Sequence, residues 1–315
     1  MRLRQLILRR VLLLIPGLLM VATIVFFALR VLPGDPARTI VGPDAPQAAV
    51  DAMREKLGLN QPIWVQYFQF IFTLARGDLG TSLVNQQPVV DILAQTAPYT
   101  VTLALGALVV GVVLGVPAGM LAAVRRRTPV DTGITLGGTF LYSVPVFYSG
   151  ILLIVLFGVT LKWFPVVGVG DVNNPVDYLR HLFLPVISLG AVMAGYIMRV
   201  SRSSVGEVLS EEYIRAAIAK GMSGRRMLWK HALRNALIPI ITVISLYTAF
   251  LFTGAILTET VFNRPGFGKV LITAVEGRDY TVATSMIVVF TAIVMVINLI
   301  TDIVYFFINP TLRKQ

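Results

Sequence analysis

The chain has 315 residues, 56% of them hydrophobic and 14% charged, with a formal net charge of +11. Soluble domains sit nearer about 45–50% apolar and about 25% charged, so this composition excludes a disordered chain and argues against an ordinary soluble enzyme. With no cysteine and only two histidines, His181 and His231, it also excludes disulfides, thiolate metal sites, cysteine nucleophiles and a histidine-rich metal centre.

Crossing ~30 Å of hydrocarbon takes ~20 helical residues. Six uncharged stretches serve: 11–29, 95–124, 132–161, 182–198, 235–258, and 280–301 continuing past Asp302 to residue 308. They predict an all-α membrane protein of six transmembrane helices. Pro117, Pro145, Pro185 and Pro239 fall inside these stretches, which a helical bundle tolerates; Pro145 and Pro239 are candidate kinks. The first stretch follows Arg2, Arg4, Arg9 and Arg10, as a signal peptide would. Its apolar run exceeds the usual length of about 7–15 residues and no A-x-A site follows, which predicts an uncleaved helix.

Six spans place the termini and the second and fourth loops on one side. That side carries 17 basic and five acidic residues, and the other carries ten basic and eleven acidic. Basic residues mark the cytoplasmic face, so both termini are expected there, and the high net charge reads as orientation rather than nucleic-acid binding.

Two segments outside the spans are large. Residues 33–94, expected outside the cytoplasm, predict a short helix over 47–57 ended by Gly58 and a second over 63–75. In the second, Ile63/Trp64, Tyr67/Phe68 and Ile71/Phe72 recur at helical spacing. Such a face either lies in the headgroup region or packs on the protein's own bundle. Residues 199–234 are the cytoplasmic segment. Ser204 and Glu207 form a capping-box pattern that predicts a helix start. A helix through Ala216, Ala217 and Ala219 is expected to stop at Gly221, with Ser223 capping the next. Helix, glycine turn, helix is either a solvated loop or a docking element whose small residues admit a partner closely.

No GxxxxGK[ST] phosphate loop is present, since Gly268-Lys269 is followed by Val270, so no P-loop ATPase is expected in this chain. The polar residues inside apolar spans are Ser143, Ser149, Ser188, Thr242, Ser245, Thr248 and Asn298, with Asp302 as the one acidic residue. The hydroxyls are candidate lining groups of a path, and each can equally bond its own helix backbone. Asp302 is a functional candidate by its intramembrane charge, or else part of a local network with Asn298 one turn away, or paired with a basic residue at the boundary.

The stretch Glu212-Tyr-Ile-Arg215-Ala216-Ala217-Ile-Ala-Lys220-Gly221-Met222-Ser223, followed by His231-Ala-Leu233-Arg-Asn-Ala-Leu-Ile-Pro239, resembles the EAA loop of ABC-importer permeases. Ala216, Ala217, Gly221 and Leu233 match at the family's spacing; Arg215, His231 and Arg234 depart from it as the dipeptide/oligopeptide branch does. Leu32-Pro-Gly-Asp-Pro-Ala37, Leu57-Gly-Leu-Asn-Gln-Pro62, Gly77-Asp-Leu-Gly80, the run from Thr258 to Gly268, Arg278-Asp-Tyr280, Asn298 with Asp302, and Asn309-Pro310 agree in the same order. Over almost the whole chain the sequence is similar to the B-type permease subunit of dipeptide/oligopeptide/nickel-type importers.

The resemblance implies a type I ABC-importer permease fold, a single permease domain over 1–315 in the prokaryotic inner membrane. It implies a second permease subunit, two ATPase subunits that bind the ATP and magnesium, and an extracytoplasmic solute-binding protein. The chain itself would catalyse nothing and hold no cofactor or metal. Glu212, Arg215, Ala216, Ala217, Lys220, Gly221, Met222 and Ser223 would form the coupling helix in a groove of an ATPase subunit. Within it, Arg215 is either a partner-facing ion pair or a solvated charge, and Glu212 either a contact or a local helix charge. The loop 259–268 and the segment 33–94 would meet the binding protein, the loop alternatively packing between the two permeases. Peptides are the implied cargo, with glutathione, nickel chelates and oligosaccharides as alternatives. A stand-alone secondary transporter or channel would need buried coupling charges, and an intramembrane enzyme would need paired aspartates, HExxH or a Ser–His arrangement within the spans.

Overall fold

The computed structural model describes residues 3–31, 35–42 and 44–308; Arg2, Leu32, Pro33, Gly34, Asn309 and Pro310, all used above, lie outside them, as do Arg313 and Lys314, two of the 17 basic residues expected on the cytoplasmic side. In chain order the helices are α1 (Leu3–Val31), α2 (Pro36–Val41), α3 (Gln47–Lys56), α4 (Ile63–Ala75), α5 (Val89–Val124), α6 (Pro129–Ser143), α7 (Val146–Leu153), α8 (Pro175–Ser210), α9 (Glu212–Ala219), α10 (Gly224–Met227), α11 (Leu233–Val261), α12 (Phe267–Glu276) and α13 (Tyr280–Ile308). Wider π-helical turns continue α7 over Ile154–Thr160 and lead into α11 over Leu228–Ala232. Among the described residues five helices are individually long and apolar enough to cross a membrane, and the pair α6–α7 with its π-helical extension makes a sixth if counted as one span.

That pair corrects the expectation of one continuous third helix. The two pieces meet at 102°. Pro145 is the cause. It has no N–H to continue α6, its ring fixes φ at −56°, and it drives Val144 into extended backbone at φ −81°, ψ 127°. Pro185 and Pro239 stay inside α8 and α11. A second correction concerns Ser204. It starts no helix, because α8 runs unbroken to Ser210 and buries Ser204 in its wall, while the neighbouring Ser203 donates to Glu207 at 3.0 Å.

The chain divides into two compact units. One comprises most of α1, α2 to α4, the start of α5, α12 and the first half of α13. Its core gathers Leu29, Val89, Ile92, Phe267, Ala274, Val282, Ala283 and Met286. Phe26 of α1 is an aromatic hub, stacked on Phe70 at 5.4 Å and edge-on to Tyr67 at 5.3 Å, both of α4. Trp64, Phe68 and Phe72 on the same helix stay exposed. The helix α4 thus packs one aromatic face on its own bundle and presents another, so both readings of its periodicity hold, for different residues.

The other unit holds Tyr99–Pro265 and the end of α13. Its centre is α8, flanked by α6, α7 and α11. The helix α5 reaches α8 through glycines: a Cβ on Gly115 would sit 2.8 Å from the Ala194 carbonyl oxygen, and one on Gly119 would run into the Met198 carbonyl. Where α5, α8 and α11 end together, Met120, Ala123, Val205, Ala232, Ala236 and Ile240 form a small core beneath α9 and α10.

Candidate functional site

The segment after α8 is built as a short helix held at one point. Glu211 takes extended backbone at the N-cap of α9, with its carbonyl accepting from Ile214 and Arg215 N–H. Ile214 is the one fully buried side chain of the helix, at 1% exposure. Tyr213 accepts a 2.6 Å bond from the Asn235 amide and so ties α9 to the start of α11. At the other end Gly221 sits at φ +84°, its N–H bonded to the Ile218 carbonyl, and Met222 N–H bonded to the Ala217 carbonyl. This is a complete Schellman stop, and Gly221 is its left-handed residue.

Of the eight residues that the EAA resemblance singles out, Glu212, Arg215, Ala216, Lys220, Gly221 and Ser223 are exposed, and Ala217 and Met222 are half-buried. All lie on this helix, its glycine turn and the first residue beyond. Ser223 directly precedes α10, its carbonyl accepting from Met227 N–H. The resemblance leaves out three apolar residues of the same knuckle, Tyr213, Ile218 and Trp229, which are 44%, 52% and 58% exposed. Their signal in the sequence is the apolar residues among charges outside any span.

The candidate path residues scatter. Thr242 and Thr248 donate to their own helix, to the carbonyls of Ile238 and Ile244 at 2.8 and 2.7 Å. The Ser149 and Ser188 hydroxyls lie 3.0 Å apart and both donate to the Val146 carbonyl, at 2.8 and 3.1 Å. They clamp the first turn of α7 to α8 beside the Pro145 bend. Ser245 is buried, Ser143 and Asn298 are exposed, and Asp302 is half-buried on α13. Asp302 is not the sole acidic residue within these helices: Glu259 lies in the last turn of α11 at 0% exposure, and Asp131 in the first turn of α6 at 4%. The uncharged windows end one residue short of each, so a charge-free criterion cannot see them.

The run from Thr258 to Gly268 is largely interior. Glu259, Phe262, Arg264, Phe267 and Gly268 are buried, which leaves Thr260 and Asn263 exposed. Thr100 donates to Glu259 at 2.6 Å.

A feature without a sequence signal lies beside the bend. Tyr142 at the end of α6, Tyr196 of α8 and Tyr247 of α11 stack in series, with ring centroids 4.8 and 4.2 Å apart and planes 26° off parallel at each step. Arg199, nearly one turn past Tyr196, reaches the Tyr142 hydroxyl at 3.5 Å. A cavity of about 420 Å³ opens here, lined also by Pro145, Phe147, Met193 and Phe250.

Comparison with known proteins is consistent along the whole length. Residues 115–314 match the family described as binding-protein-dependent transport system inner membrane component, and residues 3–104 match its N-terminal companion model. A glutathione transport system permease protein of Salmonella typhi is 42% identical, covering 98% of this chain and 99% of its own; the protein of the same name in Escherichia coli K12 is 41% identical with the same coverage. A probable peptide ABC transporter permease protein of Sinorhizobium fredii is 40% identical over 98% of each chain. Among solved structures, the MetNI methionine ABC transporter in an inward-facing conformation aligns with a TM-score of 0.60 at 17% identity, covering 70% of this chain and 97% of that one, a likeness of fold. With its apolar helices, its type I importer permease fold and these full-length matches, the chain belongs to the family of multi-pass inner membrane permease components of ABC-type, binding-protein-dependent transport systems.

Proposed function

We propose that this chain pairs with a second permease to form the path by which peptides, glutathione among them, enter the cytoplasm. Two ATPase subunits supply the energy and an extracytoplasmic binding protein delivers the cargo. Both termini and the segment 199–234 face the cytoplasm, and 33–94 faces outward. The chain works as one permease domain over 1–315, binds no cofactor, and leaves ATP and magnesium to its partners. The full-length likeness to permeases named for glutathione and peptide transport carries this reading.

The geometry supports a division of labour. The helix α9 is anchored through Ile214 and presents charged and small residues outward. A partner groove can close over Ala216 and Ala217 because no large side chain stands there, and Gly221 fixes the angle at which the chain leaves. Arg215 and Lys220 offer charge to an acidic surface. Motion of the ATPase pair then reaches α8 and α11 through backbone that is continuous with α9 and α10. The buried state of Glu259 and Arg264 supports a structural role for most of the loop 259–268, leaving Asn263 and Thr260 as its outward contacts.

The test is purification of the tagged chain from native membranes in mild detergent, with identification of its partners, followed by uptake in proteoliposomes. Recovery of a second permease and ATPases, and ATP-dependent accumulation of glutathione or a dipeptide, is the expected result. A chain recovered alone, or uptake driven by an ion gradient without ATP, sinks the reading.

A further inference from the structure

We infer that the cavity at the α6–α7 bend is a cargo subsite, in which the stacked Tyr142, Tyr196 and Tyr247 take an apolar part of the solute and Arg199 takes its carboxylate. This rests on the importer reading above and names the chemistry that its cargo carries.

The cavity has the size of a small-molecule site, and its walls are aromatic and aliphatic with few polar groups. It opens where the backbone leaves helical geometry at Val144 and Pro145. Non-helical backbone at membrane depth is tolerated where it is buried in protein or lines a water-filled cavity. Stacked in series, the three rings cover the faces of Tyr196, so a solute side chain meets the edges of the stack and the outer rings, Tyr142 and Tyr247.

Charge decides between solutes. Among the described residues the lining holds no acidic and no basic side chain, and Arg199 stands beside it, at the hydroxyl of the lining residue Tyr142. Two neighbouring arginines on α8 differ in a telling way. Arg202 is held by Asp131 in a two-point ion pair, whereas Arg199, three residues earlier, makes no ion pair among the described residues and is exposed. Its guanidinium fork, resting against the Tyr142 hydroxyl, is free to meet a carboxylate with two parallel hydrogen bonds. A peptide of either length, or glutathione, carries such a group, and a neutral sugar does not.

The experiment uses the complete importer in proteoliposomes with its binding protein, and takes glutathione and the dipeptide Ala-Phe as probes. Wild-type importer that accumulates neither with ATP defeats the peptide cargo of the reading above, and this inference with it. Where wild type accumulates either, Arg199→Gln is expected to lower uptake about tenfold or more, the loss of one charge-assisted contact. ATP hydrolysis stimulated by the loaded binding protein persists, and Arg199→Lys recovers part of the uptake. Uptake by Arg199→Gln equal to wild type overturns the subsite alone. A parallel loss of stimulated hydrolysis and uptake, unrelieved by lysine, also overturns it, since that pattern belongs to a structural charge. An independent arm uses the absence of native cysteine. Thr253→Cys places a thiol on the cavity wall, and its alkylation by a small maleimide is expected to slow several-fold when the probe and ATP are supplied together. A thiol that is unreactive throughout, because lipid or the second permease fills the cavity, or that is unprotected by the probe, overturns the assignment.

Discussion

The Asp131 carboxylate accepts two parallel hydrogen bonds from one guanidinium, Arg202 Nε to Oδ1 at 2.5 Å and Nη2 to Oδ2 at 2.9 Å, joining the start of α6 to the far end of α8. The Arg127 backbone N–H adds a third bond at 3.0 Å, and the Thr135 hydroxyl a longer one. This pair sits about one helical turn from Arg199 and shortly before the chain turns into α9. It fixes the start of α6 to α8 upstream of α9. Asp131→Ala leaves Arg202 without its partner, an expected loss of about 2–3 kcal/mol, typical of orphaning a partly buried charged hydrogen bond. Thermal unfolding in detergent measures it. The swap Asp131→Arg with Arg202→Asp is expected to regain part of the loss. Unchanged stability in the single variant would mean that water replaces the fork at no cost.

Ala217 and Gly221 form the stop of α9, and each answers to a different constraint. Ala217→Trp keeps the helix but puts a large ring where a partner groove would close. Uptake is expected to fall to near background while the protein still reaches the membrane and its partner ATPases still hydrolyse ATP. Gly221→Ala keeps the surface but strains a residue at φ +84°, at about 1–2 kcal/mol for the turn. It is expected to weaken coupling less than the tryptophan does. Normal uptake by Ala217→Trp would remove α9 as the point of contact.

The legible part of this protein is the part that obeys simple periods. Span lengths follow from charge-free windows, and the boundaries of α4 and the Gly221 stop follow from proline, glycine and helical spacing. Ser204 misleads because a Ser-x-x-Glu pattern marks a helix start only when a chain needs starting; here α8 is already helical and its wall is buried. The 102° bend hides because proline inside an apolar stretch is compatible with a kink, a break or neither, and neighbours decide. The tyrosine stack hides more deeply. Its members lie about 50 residues apart on three helices, and nothing local to Tyr142, Tyr196 or Tyr247 says that they meet. The residues proposed for coupling are marked by the resemblance, whereas Tyr213, Ile218 and Trp229 become conspicuous only once their exposure is known.

Close contact between α5 and α8 is a second test of the fold. A Cβ at Gly119 meets backbone, the Met198 carbonyl and the Arg202 amide nitrogen, so no side-chain rotation can relieve it. At Gly106 the obstacle is the Val186 side chain, which can give way. Gly119→Val is therefore expected to be poorly accumulated or aggregated on extraction, and Gly106→Ala to be milder, by about the 1–3 kcal/mol range of overpacking. Size-exclusion profiles in detergent compare them. Equal behaviour of the two would mean that α5 can shift away from α8 freely.

The last prediction concerns Thr100 and Glu259, both at 0% exposure and 2.6 Å apart. A buried carboxylate needs its donors, so Thr100→Val should cost about 1.5–3 kcal/mol, the range for a hydrogen bond to a charged group. Arg264, likewise fully buried, contributes the nearby positive charge; burial pushes its guanidinium below its ordinary pKa, and the adjacent tyrosines and Glu259 oppose that shift. Glu259→Gln keeps an acceptor for Thr100 but removes a negative charge that favours the charged form of Arg264, so it should destabilise more than Thr100→Val does. Combining Glu259→Gln with Arg264→Met removes both charges and is expected to recover stability relative to Glu259→Gln alone, because two desolvation penalties vanish together. Additive losses in the double variant would show that the two charges do not sense each other, and that each is held by separate contacts.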